Sequence, residues 1–234
     1  MLESILSDGL HQLQLPCDAE LLEKFRLYYT ILLDRSSQMN LTAITEEDEV
    51  SRLHFLDCAA VLSQFSFSGK TVLDVGSGAG FPGLVLKLLC PSVSLTLLDS
   101  TQKRVQFQQE VCAALGLRDV HCLHLRAEEA SPEMREHFDI VISRAVARYP
   151  VLAELCMPFV SVQGTFLAMK GAAAEGELEE GKHAVQVLGG GTPLIRHYTV
   201  PGLDAERALI LSVKQSSTPT RYPRRFALIK KQPL

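Results

Sequence analysis

Three observations predict an α/β fold whose mostly parallel sheet is covered on both faces and ends in an antiparallel hairpin. Short, nearly unbroken apolar runs alternate with helix-like segments from residue 71 onward, the pattern of strands buried on both faces. A glycine-rich turn, GSGAGFPG at 76–83, follows the first of those runs. The last two runs, 194–200 and 207–215, are separated by Pro201-Gly202-Leu203-Asp204 with no room for a crossover helix, so they must pair antiparallel. A chain of 234 residues can bury a substantial core as one domain with an elaboration.

Before the sheet, apolar side chains at 21, 22, 25, 28, 29 and 32 make a helical stripe, and Asn40-Leu41-Thr42 breaks it. Thr45 with Asp48 resembles a capping arrangement, and Val50, Leu53, Leu56 and Ala60 give the next helix its buried face. From Gly69-Lys70 the character changes. TVLDV (71–75) is a strand, FPGLVLKLLC (81–90) a helix, SLTLLD (94–99) a strand, and TQKRVQFQQEVCAALG (101–116) a helix that Gly116 stops. VHCLHL (120–125), FDIVIS (138–143) and GTFLAMK (164–170) complete five parallel strands, with helices at 149–158 and 174–188. LIRHYTV (194–200) and RALILSVKQ (207–215) form the hairpin, giving seven strands. The expected division is a helical extension over 1–66, a core over 67–215, and a basic tail over 216–234 that belongs to the same globular unit.

Composition sets outer limits. At 47% hydrophobic, with no apolar run of 18 residues and an acidic amino terminus, the chain is expected to be cytoplasmic, without a membrane span or leader. Six cysteines (17, 58, 90, 112, 122, 156) form no CxxC and are expected as reduced, buried thiols. His121, Cys122 and His124 lack a further ligand, so no metal is expected. No zipper pattern demands a dimer, and a monomer is expected. The net charge is -4, but Lys214, Arg221, Arg224, Arg225, Lys230 and Lys231 place +6 on residues 212–234, leaving -10 on the rest. A polyanion partner and a solvated terminus fit that tail equally well.

Ligands of parallel sheets sit outside the carboxyl ends of the strands, where Asp74 and its turn lie. Gly76, Gly78 and Gly80 let the backbone turn tightly beside a ligand, and Gly83 permits close helix–sheet packing. The turn reads both as GxGxG and as GxGxxG, and Asp99 ends the second strand where a carboxylate accepts from ribose hydroxyls. A nicotinamide or flavin dinucleotide and S-adenosylmethionine both meet these requirements. The absence of GxxxxGK[ST] excludes a Walker-type phosphate loop. Three features favour S-adenosylmethionine: Asp74 suits an ammonium group better than a diphosphate, Phe81-Pro82 fills space where a diphosphate seeks bare amides, and the terminal hairpin replaces a second nucleotide-binding half. A non-catalytic RNA-binding module is the third alternative.

The ordered set NLTAI (40–44), HFLDC (54–58), VLDVGSGAGFPGLVLK (72–87), LLDSTQKRVQF (97–107), RAEE (126–129), FDIVISRAVA (138–147), LAMKG (167–171) and YPRR (222–225) resembles the bacterial ribosomal RNA small subunit methyltransferase G family, also called glucose-inhibited division protein B. The resemblance covers nearly the whole chain. It implies a Rossmann-like class I S-adenosylmethionine-dependent methyltransferase fold with added N-terminal helices. The implied reaction moves a methyl group to N7 of a guanine in the 530 loop of 16S ribosomal RNA, guanine 527 in the family. It places Asp74, Gly76, Gly78, Phe81, Asp99, Ala127, Glu128 and Arg144 around the cofactor, with Ala127-Glu128 at the adenine and Arg144 in a positioning role.

Candidate RNA contacts are Lys103, Arg104, Arg148, Lys170, Arg221, Arg224 and Arg225, with 16S ribosomal RNA or the small subunit as partner. Lys103 and Arg104 open a helix whose dipole disfavours cations there, so they need another reason to be present. Guanine N7 carries an in-plane lone pair and no proton, so no general base is required. His54 and Asp57 share a helix face and are expected to pair with each other, bracing Asn40. Two departures stand out: Cys58 replaces the family's usual serine, and FALIKKQPL follows YPRR in place of a glycine- and proline-containing basic loop. Phe226-Ala-Leu-Ile229 is expected as a short strand or as packing on the domain.

Overall fold

The computed structural model describes residues 1–39, 41–129 and 131–234, the side chains of 37–39 excepted. Its strands are β1 Thr71–Val75, β2 Ser94–Asp99, β3 Val120–His124, β4 Phe138–Arg144, β5 Val160–Lys170, β6 Leu194–Val200 and β7 Leu203–Val213. They form one seven-stranded sheet in the order β3-β2-β1-β4-β5-β7-β6. The first five are parallel, and β7 enters antiparallel between β5 and β6. The order reverses between β1 and β4, which opens a crevice beyond their carboxyl ends.

Side chains alternate between two cores, as the two-residue strand period requires. Val72, Leu95, Leu97, Ile140 and Ile142 pack with α1 (Leu2–Gln12), α2 (Ala19–Met39), α5 (Gly83–Leu89) and α6 (Gln102–Ala114). Leu73, Val75, Leu98, Val141 and Phe166 face α7 (Tyr149–Cys156), α8 (Ala174–Val187) and α9 (Phe226–Lys231). The N-terminal helices therefore extend the layer made by α5 and α6.

Several boundaries depart from the expected ones for local reasons. α1 buries Leu2, Leu6 and Leu10, a four-residue spacing on one helix face. Thr45 is not a cap: its carbonyl accepts from the Tyr29 hydroxyl at 2.9 Å, and the helix begins at Glu47. That helix is irregular. α3 (Glu47–Val50) widens into a π-helical turn (Ser51–Leu56), then narrows through α4 (Asp57–Ala59) into a 3-10 turn (Ala60–Ser63). β5 starts at Val160, earlier than expected, because its register against β4 shifts between Phe138 and Ile140, with Gln163 at φ +72°. The hairpin turn is tighter than Pro201–Asp204 suggested: Gly202 at φ +74° lets β7 resume at Leu203. The expected bracing of Asn40 lies outside the described residues.

The tail is held down. Phe226–Lys231 is a helix, not a strand, and its Ile229 is buried against the second core. Glu154, fully buried in α7, accepts from the Arg224 backbone N–H and Nε at 2.8 Å each and from Nη2 at 2.5 Å. Lys214 is also fully buried, donating to the Met157 carbonyl (2.7 Å) and Thr218 Oγ1 (2.6 Å) with Glu136 at 3.5 Å. Two of the six tail charges are thus paired within the fold, Arg224 with the buried Glu154 and Lys214 with the partly exposed Glu136.

Candidate functional site

The glycine turn leaves β1 at the sheet's reversal point and is fixed from three sides. Gly76 N–H donates to the Leu98 carbonyl at 2.8 Å, tying the turn to β2. The Tyr28 hydroxyl, from α2, donates to the Ala79 carbonyl at 2.5 Å. Gln108 Nε2, from α6, donates to Ser77 Oγ (2.9 Å) and the Gly78 carbonyl (2.8 Å). Gly76 and Gly80 adopt φ +74° and +89°, which side chains disfavour. A Cβ on Gly76 would overlap Val146, and one on Gly83 would overlap Leu97 and lie 2.9 Å from Asp74 Oδ2. The expected close helix–sheet approach at Gly83 is therefore real. A Cβ on Gly78 would meet only the Gly76 carbonyl, at 3.9 Å, so this part of the turn faces open space.

Two carboxylates flank the turn. Asp74 is fully buried; Oδ2 accepts the Gly83 N–H at 2.8 Å, and Oδ1 has no hydrogen-bond partner among the described residues. Burial pushes its carboxyl up to about 7, against the Gly83 hydrogen bond and the Arg144 charge. Asp99, at the end of β2, accepts from Thr101 N–H (2.8 Å) and Gly78 N–H (2.9 Å), and Arg104 approaches it at 3.6 Å. A carboxylate has about four lone-pair sites, so acceptor capacity remains. Ala127 and Glu128 form a short 3-10 turn after β3. Ala127 also lines a cleft of about 310 Å³ with Tyr222 and Pro223 of the tail.

Phe81 lies beneath the turn in an aromatic cluster, with ring centroids 5.4 Å from Tyr28 and 4.7 Å from His54. The Arg144 guanidinium sits 5.3 Å from the Phe81 centroid. Arg144 ends β4 and draws the irregular helix toward the sheet. Its Nη1 donates to the Leu53 carbonyl and to Asp57 Oδ2 at 3.0 Å each, and its Nη2 lies 3.2 Å from His54 Nδ1. His54 and Asp57 thus meet through Arg144 and not by the direct pairing expected. His54 Nδ1 lies between the Arg144 guanidinium, which only donates, and the Leu53 carbonyl, which only accepts, at 3.1 Å, and Nε2 is 2.9 Å from Thr42 Oγ1. Burial, together with Arg144, lowers His54 to about 4 and keeps it neutral. Asp57 accepts a second guanidinium through Oδ1, from Arg207 Nε at 2.7 Å.

The basic candidates divide by environment. Arg104 touches Asp99, Arg148 pairs with Glu180, and Lys170 reaches Glu177 (2.8 Å) and the Ala147 carbonyl (2.6 Å). Arg224 is committed to Glu154. Lys103, Arg221 and Arg225 are exposed, Arg221 lying against the Tyr222 ring. Sequence reasoning missed Tyr28, Gln108, Val146 and Arg207. Gln108 alone left a usable sign, a polar residue on the buried stripe of α6.

Beyond the turn, the carboxyl ends of β4 and β5, the irregular helix and the β6–β7 hairpin enclose a cavity of about 410 Å³. Of the expected cofactor residues only Arg144 lines it. Arg144 therefore stands between the glycine turn, where it lies against Phe81, and the cavity over β4 and β5. No group of three or more metal-ligating side chains occurs among the described residues, and no described helix is long and apolar enough to cross a membrane.

The fold is similar to that of a SAM-dependent methyltransferase from Aquifex aeolicus, at 20% identity and TM-score 0.52 over 70% of this chain and 93% of that one. It is also similar to precorrin-6y C5,15-methyltransferase from Geobacter metallireducens, at 13% identity and TM-score 0.51 over 68% and 87%. These likenesses establish the class I methyltransferase topology. Sequence relatives are much nearer. Ribosomal RNA small subunit methyltransferase G from Geobacillus sp. (strain WCH70) is 45% identical over 219 residues, 92% of each chain. That from Alkaliphilus metalliredigens is 43% identical over 233 residues, 98% of each. The family model described as GidB, rRNA small subunit methyltransferase G, matches residues 21–209. With this agreement along almost its whole length, the chain belongs to the rRNA small subunit methyltransferase G family.

Proposed function

We propose that the protein transfers a methyl group from S-adenosylmethionine to N7 of a guanine in the 530 loop of 16S ribosomal RNA. The observation that carries the reading is a glycine turn set between two carboxylates. The unpartnered Asp74 oxygen suits a ligand ammonium group and opposes a diphosphate. Asp99 stands where ribose hydroxyls donate, and Ala127-Glu128 would border the adenine. Gly76 and Gly78 present backbone without side chains to the ligand, while Phe81 supports the turn from below.

Bound S-adenosylmethionine supplies a methyl carbon made electrophilic by its sulfonium. A guanine N7 lone pair presented to that carbon would form the N–C bond as the C–S bond broke, its electrons leaving with sulfur. No proton moves. The protein's contribution is alignment and charge. Arg144, held by Leu53, Asp57 and His54 between the glycine turn and the cavity over β4 and β5, would position the reacting partners. Positive charge passes from sulfur to the purine, and Asp57 and Asp74 offset it without acting as bases. His54, neutral and hydrogen-bonded to Thr42, is not asked to accept a proton.

RNA would dock through phosphates and an exposed base, since base edges in duplex RNA are hard to reach. Exposed Lys103, Arg221 and Arg225 are the strongest phosphate candidates, and activity should fall as salt rises. Incubation with radiolabelled S-adenosylmethionine and small-subunit RNA from cells lacking the modification tests the assignment. Label mapped to N7 of the 530-loop guanine is expected. Label elsewhere, or none on naked RNA and assembled particles alike, overturns it.

A further inference from the structure

The cavity over β4 and β5 is built differently from the cofactor space. Its walls include Ile44, Leu53, Met169 and the ring of Tyr198, and its cations come from Arg144, Lys170 and Arg207. Apolar walls with a few convergent polar groups, enclosing about 410 Å³, suit a flat heteroaromatic ring better than a phosphate chain. All three cations are donors only. Lys170 reaches Glu177 and the Ala147 carbonyl, and Arg144 is anchored through Nη1 and Nη2 to Leu53, Asp57 and His54 on the side of the glycine turn, leaving its Nε without a partner among the described residues. Arg207 gives Nε to Asp57 and Nη1 to the Glu206 carbonyl, and its Nη2 has no partner among the described residues. Asp57 therefore fixes Arg207 and Arg144 through its two oxygens, joining the hairpin to the methyl-transfer edge.

We propose that this cavity receives the target guanine, turned out of the RNA, and that Arg207 fixes it by donating from Nη2 to O6; the proposal rests on the guanine-methylation reading above. Guanine carries O6, an acceptor, beside N7, whereas adenine carries an amino donor at that position. A donor-only group there aligns N7 with the methyl carbon and rejects adenine. With the base extruded into this cavity and the cofactor at the glycine turn, the two come from different elements and meet at Arg144.

The test is an atom-for-atom cycle. Small-subunit RNA carrying guanine or 2-aminopurine (which lacks O6) at the target is assayed with the wild type, Arg207→Gln and Arg207→Lys. The wild type is expected to favour guanine by about 10- to 100-fold in kcat/KM, the worth of one hydrogen bond to a charged group. Arg207→Gln should lose most of that preference, while binding S-adenosylhomocysteine with unchanged affinity by calorimetry. The altered N7 reactivity of 2-aminopurine cancels between variants. Arg207→Lys keeps a charge opposite Asp57 and reports on folding; it should recover stability and only part of the preference. Should all three enzymes discriminate equally, Arg207 is structural and the proposal fails, although the methyltransferase reading stands. If the wild type methylates no ribosomal RNA, both readings fail together.

Discussion

Asp74→Asn separates what the carboxylate costs the fold from what it gives the ligand. Its native value of about 7, against an ordinary 3.8, spans about three tenfold steps, and at roughly 1.4 kcal/mol each the ionised group costs the native state about 4 kcal/mol. Between pH 4 and 7 the native protein holds a proton that the unfolded chain has released, so stability falls as pH rises through that window and levels off above it. His54 acts in the opposite sense: lowered to about 4, it makes stability rise with pH up to its unfolded value near 6.5. Comparing variant with wild type at each pH cancels the histidine. Urea unfolding of the apo proteins should show the asparagine variant gaining about 2 kcal/mol on the wild type between pH 5 and 7, and less than about 0.5 kcal/mol more by pH 8. Its affinity for S-adenosylhomocysteine should nevertheless drop about 10- to 100-fold by calorimetry, the value of a hydrogen bond to a charge. A stability gap that does not change with pH would refute the buried-carboxylate reasoning, whatever happens to binding.

Other outcomes follow from packing and charge. Gly83→Ala should lower stability by about 1–3 kcal/mol, because overpacking against Leu97 and Asp74 exceeds the helix-propensity gain of about 1 kcal/mol; thermal unfolding reads this directly. Arg224→Ala leaves Glu154 buried without its cation and should cost about 3–5 kcal/mol, with the tail becoming susceptible to limited proteolysis. Arg221→Ala and Arg225→Ala should spare stability, weaken RNA binding across sequences, and each reduce the log–log salt slope by about one. A titration of RNA binding between low and high salt, beside a melting curve, distinguishes these two tail behaviours.

The elements and the glycine turn were legible because they rest on local signals. Strand runs such as TVLDV and SLTLLD announce themselves within five or six residues, with Asp74 next to last in its strand and Asp99 last in its own. The Asp57 network was not legible, since Arg144 and Arg207 lie 87 and 150 residues further along the chain. His54 and Asp57 were correctly placed on one helix face, but only the fold reveals the guanidinium between them. Tail charge was misread for the same reason: counting cannot tell Arg225, in water, from Lys214, wholly enclosed. Tyr28 read as an ordinary core position because its hydroxyl acts on a turn 51 residues away.

The strand order carries a consequence for biosynthesis. β1, which leads into the glycine turn, lies between β2 and β4. On a growing chain β2 follows it promptly, whereas the Val72–Asp74 flank stays unpaired until residues 140–142 have been made. Through that interval a bare apolar strand edge is open to wrong partners. Pausing or truncation before residue 140 should therefore leave the nascent protein prone to aggregate, and release after it should not.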